Sequence, residues 1–270
     1  MKISKLQFRE RIFQVNPNLK NIPQGYKRIE NKIILRKNTI LSGELGEAII
    51  EAYPWCTGVF QHVTTSGENR RPELIHLAGN PNTIVIHKEN HVKYYLDISK
   101  ITFSGGNRNL RIKLVNEIKD GENLLDMFAA VGNLSLQVVV HNNINAKLIE
   151  KDPYTFSFLE KTVKINKIKN IEIMNIDCKD AKIENWADHV FMGYHNVNKN
   201  HMKTAIQACK NNAIIHIHPL ARKNNHTEWI EEYTNWIDKL GAKVISHSMR
   251  TIKNYSPNLD HIEVILTIQK

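Results

Sequence analysis

The chain has 270 residues, with 37 Lys and Arg against 27 Asp and Glu, a formal charge of +10 and 41% hydrophobic residues. That length suits one large domain or two modest ones, and the apolar content with few Gly and Pro excludes wholesale disorder. The positive excess is expected to attract a polyanion, nucleic acid first, although Asn, Ile and Lys are abundant throughout, as in a lysine-rich proteome. Cys56, Cys178 and Cys209 form no CxxC pair, which argues against a zinc ribbon or a disulfide framework and suits a reducing compartment. No signal-peptide core opens the chain, and no apolar run reaches the ~18 residues of a membrane span, so a cytoplasmic protein with no membrane partner is expected.

Residues 1–103 read as a small α+β domain. Strand-like runs occur at Lys32–Arg36, Gly58–Val63, Thr83–His87 and Val92–Ile98, with one amphipathic helix over Gly43–Tyr53. The turn clusters Ser66-Gly-Glu-Asn69 and Gly79-Asn-Pro-Asn82 separate them. Arg108–Ile118 has helical apolar spacing and connects the two halves, the second domain being residues 104–270. There strands are expected at Asn123–Asp126, Ala146–Glu150, Ile171–Asp177, His189–Tyr194 and Ala213–Pro219. Helices are expected at Gly132–His141, Pro153–Ile165, Lys199–Cys209 and His226–Leu240, the second with Asp152 as its cap and Pro153 in its first turn. Val244–Thr251 and His261–Gln269 read as a closing antiparallel pair. Such alternation implies an α/β, mostly parallel sheet with right-handed crossovers.

The chemistry concentrates where those strands end. Asn123-Leu-Leu-Asp-Met-Phe-Ala-Ala-Val-Gly-Asn133 is an apolar strand, an acidic residue, a small-residue turn and an apolar helix whose N-terminus, at Gly132, is expected to face a ligand. The turn lacks the Gly-x-Gly-x-x-Gly cradle of a pyrophosphate, which favours S-adenosylmethionine over a dinucleotide. Asp126 either caps its turn or also lies near the methionine amino group, with Phe128 in the same turn. Glu150, at the end of the second strand, is placed to accept from two ribose hydroxyls. Asp177 either bonds the adenine amino group, with the Cys178 amide on a ring nitrogen, or is a solvated loop carboxylate. In Phe103-Ser-Gly-Gly-Asn-Arg108, Ser104 and Asn107 offer short hydrogen-bonding side chains, and Arg111 one turn on either holds a carboxylate or phosphate or is a solvated arginine. After the fourth strand, Tyr194 is a candidate for stacking on a base and His195 for accepting a proton; a plain aromatic wall is the competing reading. His216 and His218 share a strand face, but no third ligand is identifiable, so no metal is expected. Arg70, Arg71 and Lys88 either meet phosphates or are ordinary surface.

Taken together, Asp97, Phe103-Ser-Gly-Gly-Asn107, Asp126-Met-Phe-Ala-Ala-Val-Gly132, Glu150-Lys-Asp-Pro153, Asn166-Lys167, Ala187-Asp188, Met192-Gly-Tyr194 and Ile214-Ile-His-Ile-His218 resemble the archaeal tRNA-modifying transferases. These are the guanine-N1 methyltransferases acting beside the anticodon and their relatives, the aminocarboxypropyltransferases of wybutosine synthesis. The resemblance runs from about Gly67 to the C-terminus. Ser104-Gly-Gly-Asn107 and Met192-Gly-Tyr194 are similar to the second group, where the first tends to carry Phe-Ser-Pro-Arg and Asn-Leu-Pro. The resemblance implies a class I S-adenosylmethionine-dependent methyltransferase fold, Rossmann-like, preceded by the small α+β domain. It implies transfer of the 3-amino-3-carboxypropyl group of S-adenosylmethionine to 4-demethylwyosine in the anticodon loop of tRNA-Phe. A monomer is expected. The resemblance also implies that Ser104, Arg111, Glu150, Asp177 and Cys178 line the cofactor site; Asn107, Asp126 and Phe128 are counted with them. Three departures stand out: Ala130 where the family usually has glycine, Leu110 where it has a glutamate, and Ser256-Pro-Asn-Leu-Asp-His261 in place of Ala-Pro-Gly-Val-Trp-His. Guanine-N1 methylation is the alternative activity, and a non-catalytic RNA-binding module the alternative of another class.

Overall fold

The computed structural model describes residues 7–36, 38–223 and 225–270, and the chain divides into two compact units. The first comprises residues up to Lys88 together with Tyr95–Thr102; the second comprises Glu89–Tyr94 and Phe103–Lys270. The hairpin of β5 (Ile84–Glu89) and β6 (Val92–Asp97) thus gives its tip to the second unit.

In the first unit a four-stranded sheet has the order β1 (Lys27–Ile29), β2 (Lys32–Arg36), β3 (Gly58–Ser66), β4 (Arg71–Gly79). The helices are α1 (Phe8–Val15) and α2 (Gly43–Ala52), the latter begun by Ser42, whose hydroxyl accepts the Leu45 N–H. Ile12, Ile33, Leu35, Leu45, Ile49 and Val59 form its core. The sequence reading did not anticipate α1, β1 or β4. β4 starts Arg71-Pro72-Glu73 on a sheet edge, where a proline is tolerated because no ladder donor is required of it.

In the second unit α3 (Arg108–Glu117) precedes a sheet of β7 (Asn123–Asp126), β8 (Asn145–Ile149), β9 (Ile171–Met174), β10 (Ala187–Met192), β11 (Cys209–Ile217), β12 (Leu220–Arg222), β13 (Lys243–Asn254) and β14 (Leu259–Gln269). The order β9-β8-β7-β10-β11 is all parallel. Antiparallel β14 follows β11 and pairs β13 on its far side, while short β12, also unanticipated, continues beyond β11. Strand order reverses between β7 and β10, the switch point where such sheets bind ligands. The crossover helices are α4 (Ser135–His141), α5 (Pro153–Ile165), α6 (Lys199–Ala208) and α7 (Glu228–Lys239). Leu125, Val190, Met192, Ile215, Val264 and Tyr233 lie in the core. No helix among the described residues is long and apolar enough to cross a membrane.

Two expectations are corrected. The helix after β7 begins at Ser135, not Gly132: Ala130 (φ +51°) and Gly132 (φ +83°) are left-handed, so the chain makes a compact turn before it can become helical. β9 ends at Met174, and Asp177 instead opens a 3-10 turn over Cys178–Asp180.

Candidate active site

β7, β8 and β9 run parallel, so their ends reach one edge of the sheet, and at or just past each end stands a carboxylate that folds its own turn. Asp126 Oδ1 accepts the Phe128 N–H at 3.1 Å, Glu150 Oε1 the Asp152 N–H at 2.8 Å, and Asp177 Oδ1 the Lys179 N–H at 3.0 Å. In each case the donor lies two residues on, the geometry of an Asx-type turn. The second oxygens differ. Glu150 Oε2 accepts the Ala130 N–H at 3.0 Å, tying the ends of β7 and β8, and Asp177 Oδ2 lies 3.2 Å from the Lys179 ammonium. Asp126 Oδ2 is buried without a hydrogen-bond partner.

Electrostatics follow from these surroundings. Burial pushes Asp126 up to about 6, and the neighbouring Glu150 carboxylate acts in the same direction. The Phe128 amide works against the rise, as does the Ser135 hydroxyl, which lies near but outside hydrogen-bond geometry. Burial also raises Glu150. Burial alone would raise Asp177 too, but the Lys179 amide and ammonium outweigh it and lower that carboxyl. A dry carboxylate with one unused oxygen suits a cation such as an α-ammonium, and a carboxylate at the next strand end suits vicinal hydroxyls; both fit an aminoacyl nucleoside. Cys178 is buried beside Asp177, its thiol pushed up to about 12 by burial and by that carboxylate, which makes it a poor nucleophile. Ala130 is left-handed, a conformation that glycine adopts more readily, and its N–H still reaches Glu150.

Across the switch point, Phe128 and Tyr194 stack with centroids 5.2 Å apart and 24° between planes, with the His201 ring edge-on to both. Both expected roles of Tyr194, wall and stacking surface, are compatible with this half-buried pair. His195 Nδ1 lies 2.8 Å from the His218 carbonyl oxygen. A carbonyl only accepts, so Nδ1 carries hydrogen and Nε2 is the basic nitrogen. The His195 ring also meets His261 edge-on at 4.9 Å.

The Ser104–Arg111 segment departs from the sequence reading. Arg111 is buried, not solvated, and its guanidinium already holds a protein carboxylate. Nε and Nη2 pair with Glu89 at 2.6 and 2.9 Å, Nη2 also donates to the Ser104 carbonyl at 3.1 Å, and the cation sits over Phe103 at 4.8 Å. Gln137 steadies Glu89 from the side at 2.7 Å. Arg111 therefore acts on the loop backbone. The side chains of Ser104 and Asn107 both accept from one residue that sequence reasoning missed, Lys253, at 2.6 and 2.7 Å. Leu110, the departure from the family's glutamate, is simply core.

A second missed feature is a buried polar chain through the sheet. Glu122 contacts His189 at 3.3 Å, His189 meets His216 at 3.1 Å, and His216 contacts Glu263 at 2.8 Å. Glu263 also pairs with Arg250, which in turn grips Glu117 at 2.5 and 2.9 Å. Burial would raise Glu263, but His216, His218 and Arg250 hold it at about 2. His218 and His261 are buried with no hydrogen-bond partner on any ring nitrogen, and burial, chiefly, depresses them to about 4 and about 2. Only the His-x-His alternation hinted at this cluster. Among the described residues no group of three or more His, Cys, Asp or Glu is arranged to hold a metal ion.

Known proteins share this architecture. Residues 85–245 match the TRM5/TYW2 methyltransferase domain. The chain is 32% identical over 257 residues to the tRNA(Phe) (4-demethylwyosine(37)-C(7)) aminocarboxypropyltransferase of Pyrococcus horikoshii, covering 93% of this chain and 92% of that protein. It is 28% identical to the tRNA (guanine(37)-N(1))-methyltransferase Trm5b of Pyrococcus abyssi, over 90% of this chain and 74% of that one. The crystal structure of P. horikoshii TYW2 in complex with MeSAdo superposes with a TM-score of 0.85 at 29% identity, covering 96% of this chain and 98% of that chain. With the family's domain matched over more than half its length and a relative of this identity along nearly all of it, the chain belongs to the TRM5/TYW2 methyltransferase domain family.

Proposed function

We propose that this chain is an S-adenosylmethionine-dependent tRNA transferase that moves the 3-amino-3-carboxypropyl group to C7 of 4-demethylwyosine, beside the anticodon of tRNA-Phe. The observation that carries the reading is the carboxylate-ended β7–β8–β9 edge facing the Phe128–Tyr194 stack across the switch point, on a chain similar along almost its whole length to an enzyme of that name. The sulfonium of S-adenosylmethionine activates the γ-carbon: a C7–Cγ bond forms as the Cγ–S bond breaks, its electron pair stays on sulfur, and 5′-methylthioadenosine leaves. The protein supplies orientation, which needs no metal. Glu150 and Asp177 with Cys178 hold the adenosine, Asp126 receives the α-ammonium, and Ser104, Asn107 and Arg111 shape the loop that fixes the amino-acid arm. Tyr194 offers its face to the exposed base, and Nε2 of His195 takes the proton that C7 loses.

The basic surface, including the first unit, holds the tRNA by phosphate contacts, so binding weakens steeply with salt. The protein works as a monomer in the cytoplasm. The similarity to Trm5b favours guanine-N1 methylation as the second reading. Incubation with precursor tRNA-Phe and S-adenosylmethionine, labelled in parallel at the carboxyl carbon and at the methyl, tests both. Carboxyl label in tRNA is the expected result; methyl label alone supports the methyltransferase, and neither label points to a non-catalytic RNA binder.

A further inference from the structure

Two cations on β13 grip the segment that leads into the sheet. Near the end of the strand, the Lys253 ammonium donates to Ser104 Oγ at 2.6 Å and to Asn107 Oδ1 at 2.7 Å, the two polar side chains of the Ser104-Gly105-Gly106-Asn107 loop. Further back, Arg250 holds Glu117 at the other end of α3 through two bonds of 2.5 and 2.9 Å. Residues three apart on a regular strand point to opposite faces. Here the β13–β14 ladder slips between Thr251 and Lys253, and that irregularity lets both cations reach the same segment.

The loop needs such a hold. Two adjacent glycines leave its backbone the freest in the vicinity, and an unpinned pair samples many conformations. The lysine stem lies along that bare backbone: a Cβ on Gly106 would stand 3.1 Å from Lys253 Cδ. Gly106 therefore admits the lysine, and the lysine, through Ser104 and Asn107, removes the freedom the glycines bring. Arg111 adds the remaining restraint through the Ser104 carbonyl.

We propose that Lys253 is the positioning residue for the amino-acid arm of the cofactor. It acts through Ser104 and Asn107, and in doing so sets which carbon of the sulfonium faces the acceptor. This deepens the function proposed above and rests on its cofactor reading. The arm, and not the nucleoside, is what Lys253 governs, so the two halves of the ligand should respond differently when it is removed.

The test is titration calorimetry on the full chain with two ligands, S-adenosylmethionine and 5′-methylthioadenosine, the second lacking the arm. Lys253→Met should weaken S-adenosylmethionine about tenfold or more, the order expected for lost bonds that involve a charged group, and leave 5′-methylthioadenosine within about twofold of wild type. Lys253→Arg, long enough to reach both acceptors, should regain most of the loss. Thermal melts of each variant show that the chain is folded. Unchanged S-adenosylmethionine binding in Lys253→Met, equal loss of both ligands, or no recovery in Lys253→Arg each overturns the inference. A wild-type chain that binds neither ligand overturns the cofactor reading, and the inference with it.

Discussion

At the ends of β7, β8 and β9 the polar groups are carboxylates; at the end of β10, just past β11 and at the start of β14 they are imidazoles. The first three each accept from an amide two residues on, so their geometry is written into local sequence. The imidazoles are held by partners far away in the chain, as His195 is by the His218 carbonyl, or by none, as with His218 and His261. One half of the edge is thus a set of preformed turns that suits a fixed ligand. On the other, the buried His218 and His261 resist taking a proton, and they stand behind His195, the half-buried histidine that the proposed function makes the proton acceptor. Under the proposed function, binding and proton acceptance fall on opposite sides of the switch point.

That contrast can be broken most severely through Arg111. Arg111→Met strands the buried Glu89 carboxylate and should cost about 3–5 kcal/mol, read by urea denaturation, with Arg111→Met/Glu89→Met restoring most of it. A loss below about 1 kcal/mol would mean that Glu89 simply re-solvates. Next in size is a pH effect on the imidazole side. His218 has a folded value of about 4, chiefly through burial, with His216, His195 and Arg250 acting the same way and Glu263 opposing. Its contribution is whole above the unfolded value of about 6.5 and is lost as pH falls toward 4, amounting to ~3 kcal/mol. Asp126, raised to about 6, has the opposite sign: it retains a proton that the unfolded chain has released, so its contribution fades as pH climbs from about 4 to 6. Unfolding free energies between pH 4.5 and 7 should therefore climb less steeply in His218→Gln than in the wild type; parallel curves would refute the assignment.

On the acidic side, Glu150→Ala should weaken S-adenosylmethionine by roughly 10–100-fold, about 1.5–3 kcal/mol for lost bonds to a charged acceptor, as read by calorimetry. Unaltered affinity would remove Glu150 from the ligand's surroundings. The smallest effect belongs to Ala130→Gly, which relieves a left-handed alanine and should stabilise by about 0.5–1 kcal/mol, seen as a higher urea midpoint. A lower midpoint would show that the turn tolerates alanine without strain.

The same division explains what could be read before any coordinates. β2, β7 and α5 fall at the residues expected, because each carries its signal locally: a short apolar run between turns, or a cap and a proline before an amphipathic stretch. The ordered strand-end motifs resembled the family that the comparisons identify. What was illegible depends on distance or on backbone sign. Lys253 lies 149 residues from Ser104, and nothing near either residue announces the other. Glu89 sits at a hairpin tip and reads as surface, yet it neutralises a buried arginine. The delayed start of α4 turns on the φ of Ala130, a residue whose type favours helix. β12 has only three residues, too few to show a period.

The slips in the β13 ladder have a consequence beyond the loop they serve. Among the described strands β13 pairs only with β14, so its outer side is an open edge, long enough to template another chain and carrying an exposed Ile245. Edges of that kind invite intermolecular strand addition unless something spoils their regularity. Irregularities at Val244/Ser246 and Thr251/Lys253 break the straight run near both ends. The irregularity beside Lys253 therefore also blunts the strand against self-association.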